Sequence, residues 1–97
     1  MAASHQTLWT IARESDLRWR VWDDQVVVFN AASGDTHLLN LVAGEALRCL
    51  QEPADAAQLA QRVAAAVNVS PDGDFLEQIA DLLEELAELG LIEAVPR

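Results

Sequence analysis

Residues 17–40, LRWRVWDDQVVVFNAASGDTHLLN, decide the fold because they predict three short strands joined by two tight turns. In residues 17–22 apolar side chains alternate with others, which is typical of a strand. Residues 25–31 hold three valines and a phenylalanine in a row, and residues 36–39 predict a last, shorter strand. The strands are neighbours in sequence, so we expect a small antiparallel meander with exposed edges.

Two turns separate the predicted strands. The pair Asp23 and Asp24 is a polar break of hairpin length. The run from Ser33 to Asp35 is a stronger turn signal, because Gly34 can adopt a positive φ without a clash from a Cβ atom. These turns predict that each strand pairs with the next one along the chain.

Three helices are predicted after the strands, over residues 41–51, 56–68 and 71–89. Asn40 and Asp55 suit the N-cap positions of the first two helices, where a side-chain oxygen accepts a backbone N–H. Ser70 followed by Pro71 is typical of a helix start, and Gly90 is typical of the position just after a helix. The sequence therefore predicts an α+β, winged-helix-like fold: a three-stranded antiparallel meander followed by three helices.

The third predicted helix has an unusually wide apolar face. At 100° per residue its apolar side chains cover an arc of roughly 180°, whereas a helix facing one core needs little over 100°. One interpretation is that a small core wraps broadly around this helix. The other is that the flank formed by Phe75, Leu82 and Leu89 remains available to a partner.

The composition fits one folded domain of 97 residues with 52% hydrophobic side chains. We expect residues 1–10 to form a flexible arm, whose Leu8 and Trp9 pack with Ile11 on the sheet, and residues 11–97 to form the single domain. No stretch reaches the ~18 apolar residues of a membrane span, and the N-terminus lacks the order of a signal peptide. The predicted location is the cytoplasm, without membrane contact.

No constellation typical of an enzyme stands out. His37 has no nucleophile beside it in sequence, and its spacing from His5 and Cys49 does not suit zinc. Cys49 lies in an apolar helical pattern and is expected to be an inert thiol. The four glycines are isolated, so a phosphate-binding loop is also not expected. We predict a protein without catalytic residues, metal or cofactor.

The charge argues against nucleic acid, although the order of the elements is that of a winged-helix domain. The formal net charge is −10, and from residue 70 onward eight acidic residues stand against one arginine. Nucleic-acid binding depends mainly on neutralising phosphates, and the third helix offers Gln78 among carboxylates. Fold alone does not determine function.

The chain resembles the PqqD-like peptide chaperones, also called precursor-peptide recognition elements. The motifs WDD at residues 22–24 and SGDTHLLN at residues 33–40 resemble a subgroup associated with an HPr-kinase-related protein. The resemblance covers residues 17–91, most specifically in the SGDTH run. It implies a winged-helix domain that captures a precursor (leader) peptide and presents it to a modifying enzyme.

The resemblance also implies where the peptide binds. In such domains the peptide adds as an extra strand to the third strand of the sheet and lies against the third helix. On this chain the implied peptide-binding residues are Thr36, His37, Leu38, Leu39, Phe75, Gln78, Leu82, Glu85 and Leu89. Strand addition uses main-chain hydrogen bonds for affinity, and an acidic rim favours a peptide with Lys or Arg near its apolar anchors.

Two other functions remain open from the residues alone. The same edge and helix could form a homodimer or a protein–protein scaffold. A nucleic-acid-binding winged helix is the second alternative, and the charge balance disfavours it. The expected partners are therefore a leader peptide and either a peptide-modifying enzyme or an HPr-kinase-related protein, with a homodimer as the alternative.

Overall fold

The computed structural model describes residues 7–95. In chain order the elements are β1 (Trp9–Ile11), β2 (Leu17–Trp22), β3 (Gln25–Asn30), β4 (Asp35–Asn40), α1 (Leu41–Cys49), α2 (Ala56–Val67), α3 (Gly73–Glu88) and β5 (Ile92–Ala94). Strands β2, β3 and β4 form an antiparallel sheet in that order, and the three helices follow it. The predicted α+β, winged-helix-like fold is confirmed.

The two faces of the β2–β4 sheet differ in burial. On the helix-facing side Val26, Val28 and Leu39 are buried. Because side chains alternate along a strand, their neighbours point to the opposite face, where Phe29 and Leu38 are exposed. The sheet is therefore covered on one side only, among the residues that the structure describes.

The helices supply most of the core beneath the sheet. The largest fully buried side chains are Leu47, Leu50, Leu59, Ile79, Leu86, Leu91, Val28 and Val63. Each buried side chain of this size stabilises the fold by about 2 kcal/mol relative to exposure, before the entropy cost of ordering the chain. All three helices and the central strand thus belong to one core.

The helix starts depend on side-chain caps. The Asn40 Oδ1 atom accepts the Ala43 N–H at 2.8 Å, and Asp55 exchanges hydrogen bonds with Gln58 in a capping box. Both predicted caps are confirmed.

The predicted start of α3 is wrong by two residues. The Asp72 Oδ1 atom accepts the Phe75 N–H at 2.9 Å, so Asp72 is the N-cap instead of Ser70. Ser70 lies in the preceding turn, where its carbonyl accepts the Asp72 N–H at 2.9 Å. The carboxylate is favoured at this position because it also interacts with the positive end of the helix dipole.

A second, two-stranded sheet joins the two ends of the described chain. Strand β1 pairs antiparallel with β5, and Trp9 also forms a bridge with Ala54. The predicted arm at residues 1–10 therefore includes part of a strand, and it pairs with β5 instead of lying on the β2–β4 sheet. Residues 1–6 lie outside the described residues.

Candidate functional site

Strand β4 is an edge strand whose outer side has no strand partner within residues 7–95. It pairs with β3 alone, while the C-terminal strand β5 pairs with β1. On an edge strand every second residue directs its N–H and C=O groups away from the sheet. The backbone of β4 can therefore accept an additional strand.

The side chains of β4 divide between the two faces of the sheet. His37 is half-buried opposite Val28, and Leu39 is only 8% exposed. Thr36 and Leu38 point to the open face, where Leu38 is 61% exposed. The side chain of Leu39 therefore belongs to the core, which leaves only its backbone for contact with a ligand.

Helix α3 is buried along its centre and partly accessible along its flank. Ile79, Leu83 and Leu86 are almost fully buried. On the flank, Phe75 and Leu82 are half-buried and Leu89 is 41% exposed. The remaining predicted residues of this helix, Gln78 and Glu85, are exposed. The core thus uses the middle of the wide apolar arc and leaves part of its edge accessible.

The segment that follows α3 lies near the turn that precedes β4. A cavity of about 620 Å³ is lined by Gly90 and Glu93, by residues 12–15, and by Asn30, Ala32 and Ser33 at the end of β3 and in the turn. Within the part of the chain that the structure describes, no side-chain hydrogen bond joins the nine predicted site residues. They are arranged as an open strand and an open flank.

The end of α3 is fixed by its backbone. Gly90 has φ of 77°, its N–H donates to the Ala87 carbonyl at 3.0 Å, and the Leu91 N–H donates to the Leu86 carbonyl at 3.1 Å. This pair of bonds is a Schellman motif, which requires a residue that tolerates positive φ. Buried Leu91 then leads the chain into β5 and away from β4.

The acidic side chains of α3 place negative charge along one side of its accessible flank. The exposed acidic residues on this helix are Asp74, Glu77, Asp81, Glu84, Glu85 and Glu88. None of them forms an ion pair with a cation among residues 7–95. Unpaired carboxylates of one sign favour a cationic ligand.

The side chains relevant to reactive chemistry are the potential metal ligands and the single thiol. No group of three potential metal ligands occurs among them. Burial raises the pKa of the Cys49 thiol, with a further contribution from Glu45, so the thiolate is disfavoured. None of the described helices is long and apolar enough to cross a membrane.

The sequence analysis missed a second concave region beside the opposite edge of the sheet. A cavity of about 480 Å³ lies next to β2, between Trp19 and Val21 on the sheet and Leu41 and Val67 on the helices. Its lining comes from four elements that are distant in sequence, so no local pattern could reveal it. The one available signal was the alternation that places Trp19 and Val21 on the same side of β2.

Comparison with known families gives a match over most of the domain. The sequence profile described as coenzyme PQQ synthesis protein D (PqqD) matches residues 25–92, which is more than half of the chain. The chain belongs to the PqqD family. A comparison of this PqqD-family chain with curated protein sequences finds no match.

Two solved structures resemble the PqqD-family domain in fold. One is TbiB1 in complex with the TbiA(beta) leader peptide, with a TM-score of 0.66 and 20% identity over 91% of this chain and 99% of that one. The other is the tRNA-dependent lantibiotic dehydratase MibB from Microbispora sp. 107891, with a TM-score of 0.53 and 21% identity. That match covers 93% of this chain but 8% of the dehydratase, so the PqqD-family domain corresponds to a small part of that enzyme.

Proposed function

We propose that this PqqD-family domain captures the leader of a precursor peptide by strand addition to β4 and presents it to a modifying enzyme. The observation that carries the proposal is the unpaired outer edge of β4, together with the accessible apolar flank of α3. The similar structure of TbiB1, which holds a leader peptide, supports it. The domain itself acts without catalysis.

In this proposal the strand supplies affinity and the helix supplies selectivity. Residues 36–39 form main-chain hydrogen bonds with the extended leader, and every second side chain of the leader turns toward the helices. Those side chains pass His37 and pack on the flank formed by Phe75, Leu82 and Leu89. Apolar side chains at this spacing are therefore the preferred anchors of the leader.

The charge of α3 selects the residues that flank these anchors. Glu85 is exposed beside the apolar flank, and Gln78, two turns earlier on the same side of the helix, can donate or accept a hydrogen bond. A leader with Lys or Arg next to its apolar anchors would gain both attraction and faster association. We expect this gain to decrease as salt is added, because the carboxylates are exposed.

The partner in catalysis is a peptide-modifying enzyme or an HPr-kinase-related protein. The resemblance to part of a lantibiotic dehydratase supports a role beside an enzyme that modifies peptides. A cytoplasmic location remains a prediction. The proposed function does not involve binding of nucleic acid, which agrees with the net charge of −10 because an acidic protein repels phosphates.

The test is an NMR titration of the ¹⁵N-labelled domain with the leader of a precursor peptide encoded beside its gene. We expect the largest amide shifts in residues 36–39 and along Phe75–Leu89, with slower hydrogen exchange on β4. The matched control is the same leader with its Lys and Arg residues replaced by Glu. A leader that leaves both segments unshifted would exclude capture at this site.

Self-association through the same edge is the second candidate. The exposed side chain of Leu38 on the edge strand β4 favours it. The net charge of −10 on each copy opposes it. Sedimentation at micromolar concentration separates the two functions. A tight dimer that dissociates when the leader is added would show that both use β4, and a dimer that excludes the leader would replace capture with scaffolding.

A further inference from the structure

The second edge of the sheet is also without a strand partner. Strand β2 pairs with β3 on one side, and no other strand within residues 7–95 pairs with it. It is as long as β4, with six residues, and therefore offers an equal length of open backbone. The leader proposed for β4 would leave this edge unused, because the two edges lie on opposite sides of β3.

Beside β2 lies a concave apolar surface. On the helix-facing side of the strand, Trp19 is half-buried and Val21 is 70% exposed. They line the 480 Å³ cavity together with Leu41 of α1, itself 45% exposed, and Val67 at the end of α2. A strand added to β2 would direct every second side chain into this cavity, where apolar side chains would exclude water.

The rim of this cavity is electrically balanced. The Arg48 Nη2 atom lies 3.2 Å from Glu45 Oε1, and both side chains line the cavity. Their charges compensate each other, so neither sign of ligand is favoured inside the cavity. The apolar lining therefore decides what enters it.

The opposite face of β2 carries positive charge at its centre. Arg18 is already paired with Asp16, with Arg18 Nη2 3.2 Å from Asp16 Oδ2. Arg20 is exposed, and no carboxylate lies within ion-pair distance of it in residues 7–95. At the end of the strand Asp23 and Asp24 would repel an acidic guest. A carboxylate is thus favoured beside Arg20 and disfavoured at the turn.

Strand geometry converts these observations into a recognition pattern. A guest residue directly opposite Arg20 points to the same face as Arg20, whereas its two neighbours point to the cavity beside Trp19 and Val21. The pattern that fits is apolar–acidic–apolar. It reads the same in both chain directions, so it holds for parallel and antiparallel addition.

We propose that the β2 edge binds an extended segment of a partner protein with an apolar–acidic–apolar triplet centred on Arg20. This binding site is separate from the leader site, and the two edges select opposite charges. A second copy of this chain fits less well, because antiparallel pairing of two β2 strands in a register centred on Trp19 or on Arg20 places arginine side chains opposite each other. The domain could therefore hold a basic leader and an acidic partner strand at the same time.

The test uses a capped heptapeptide with a central valine–glutamate–valine triplet and its valine–lysine–valine counterpart. The ¹⁵N-labelled full chain is titrated by NMR with each peptide up to a peptide concentration of about 1 mM, which detects dissociation constants up to about that value. We expect the glutamate peptide to shift the amide signals of residues 17–22 and of the cavity lining. We expect the lysine peptide to leave β2 unshifted. An unshifted β2 with the glutamate peptide, or equal shifts with both peptides, would overturn the proposal.

Two substitutions assign the binding to the named residues. Arg20→Gln should lower the affinity for the glutamate peptide about threefold, which is the size of effect expected from one exposed ion pair. Val21→Thr keeps the shape and the strand propensity of the side chain, and it should weaken the same peptide several-fold through lost apolar contact. Leu38→Thr, the same kind of change on the other edge, is the matched control and should leave this affinity unchanged.

The outcomes also separate this site from the leader site. If Leu38→Thr weakens the glutamate peptide as much as Val21→Thr does, the peptide binds at β4 and the β2 proposal is wrong. If sedimentation shows a dimer, and the amide shifts that accompany dimerisation in NMR lie on β2, the occupant is a second copy and the partner proposal is likewise wrong. Failure of leader capture would leave these measurements unaffected, because they use a different edge and a different charge.

Discussion

The two edges of the β2–β4 sheet are equal in backbone and opposite in surroundings. Both β2 and β4 have six residues and one strand partner within the described chain. The β2 edge has an unpaired arginine and an open, largely apolar cavity beside it, whereas helix α3, whose following segment lies near the turn before β4, carries a row of unpaired carboxylates. The open backbone is therefore common to both edges, and only the neighbouring side chains can distinguish their ligands.

The difference teaches where selectivity resides in a small sheet. Main-chain hydrogen bonds to an edge strand are almost independent of sequence, so they give affinity for any extended chain. Selection must come from charge and from the shape of the adjoining helices. A domain with two such edges can remain selective only if the surroundings of the edges differ.

The largest expected effect concerns the packing beneath the β2 edge. Gly44 of α1 lies against Val26, and a Cβ atom on it would approach Val26 Cγ2 to 2.4 Å. Gly44→Ala should therefore destabilise the fold by about 2 kcal/mol, as expected for overpacking, and should disturb the β2 cavity that Gly44 lines. Urea unfolding and the chemical shifts of β2 measure the two effects.

The matched control for this change is Gly73→Ala at the start of α3. A Cβ atom there would meet nothing within 4 Å, so the change should be neutral or slightly stabilising through helix propensity. Equal destabilisation by both variants would show that Val26 does not limit the approach of α1.

The next effect breaks the symmetry between the edges. Leu38→Asp replaces an exposed apolar side chain on β4 with a carboxylate, and should weaken leader binding about tenfold through lost apolar contact. Binding of the glutamate peptide to β2 should change much less, because Val27 of β3 separates position 38 from Arg20. Isothermal titration of both ligands, with circular dichroism of the variant, checks this prediction, and equal losses for both ligands would contradict it.

A smaller effect tests the charge beside β4. Glu85 is exposed on α3, so Glu85→Lys should leave the fold intact and weaken a leader rich in Lys and Arg about threefold. The difference between wild type and variant should decrease as salt is raised. An affinity that the substitution does not change would remove the acidic flank from the recognition of the leader.

The smallest effect concerns Arg18 of β2, which is paired with Asp16 and is therefore not available to a ligand. The Arg18 guanidinium lowers the pKa of Asp16 from its ordinary value of 3.8, first by hydrogen bonding and then by its charge. The contribution of this pair to stability is present above the unfolded pKa and is lost as the pH falls through the lower folded pKa. Since both groups are exposed, the change in stability should be slight.

The measurement for this pair is a ¹³C NMR titration of the Asp16 carboxyl group. Arg18→Leu should return the pKa of Asp16 toward its ordinary value. If the substitution leaves the pKa of Asp16 unchanged, Arg18 is not paired with Asp16. The acidic residue of a β2 ligand could then pair with either Arg18 or Arg20.

Local sequence signals predicted the fold correctly wherever the cause was local. Alternation and turn residues gave the β2–β4 meander, and the caps at Asn40 and Asp55 are confirmed because a cap depends only on residues three positions apart. The same locality explains the error at α3. Ser70 and Asp72 are both good caps, and only the conformation of the preceding turn places the Asp72 carboxylate at the helix start.

The candidate site could be predicted only in part. The strand residues 36–39 followed from the resemblance and from the order of the strands. The division of these side chains between the two faces of the sheet could not be predicted in the same way. The burial of Leu39 and the exposure of Leu38 depend on which face the helices cover. The cavity beside β2 could not be predicted at all, since its walls come from β2, β3, α1 and α2.

By itself the sequence determined the elements, their turns and caps, and the excess of negative charge, all of which depend on composition or on residues a few positions apart. Tertiary structure alone decided that β5 pairs with β1 and leaves β4 open, and that β2 has a cavity beside it. The reason is physical: strand pairing and cavity walls join residues up to 85 positions apart, such as Trp9 and Ala94. No local propensity specifies such a pair, because its free energy exists only once the core has brought the ends of the chain together.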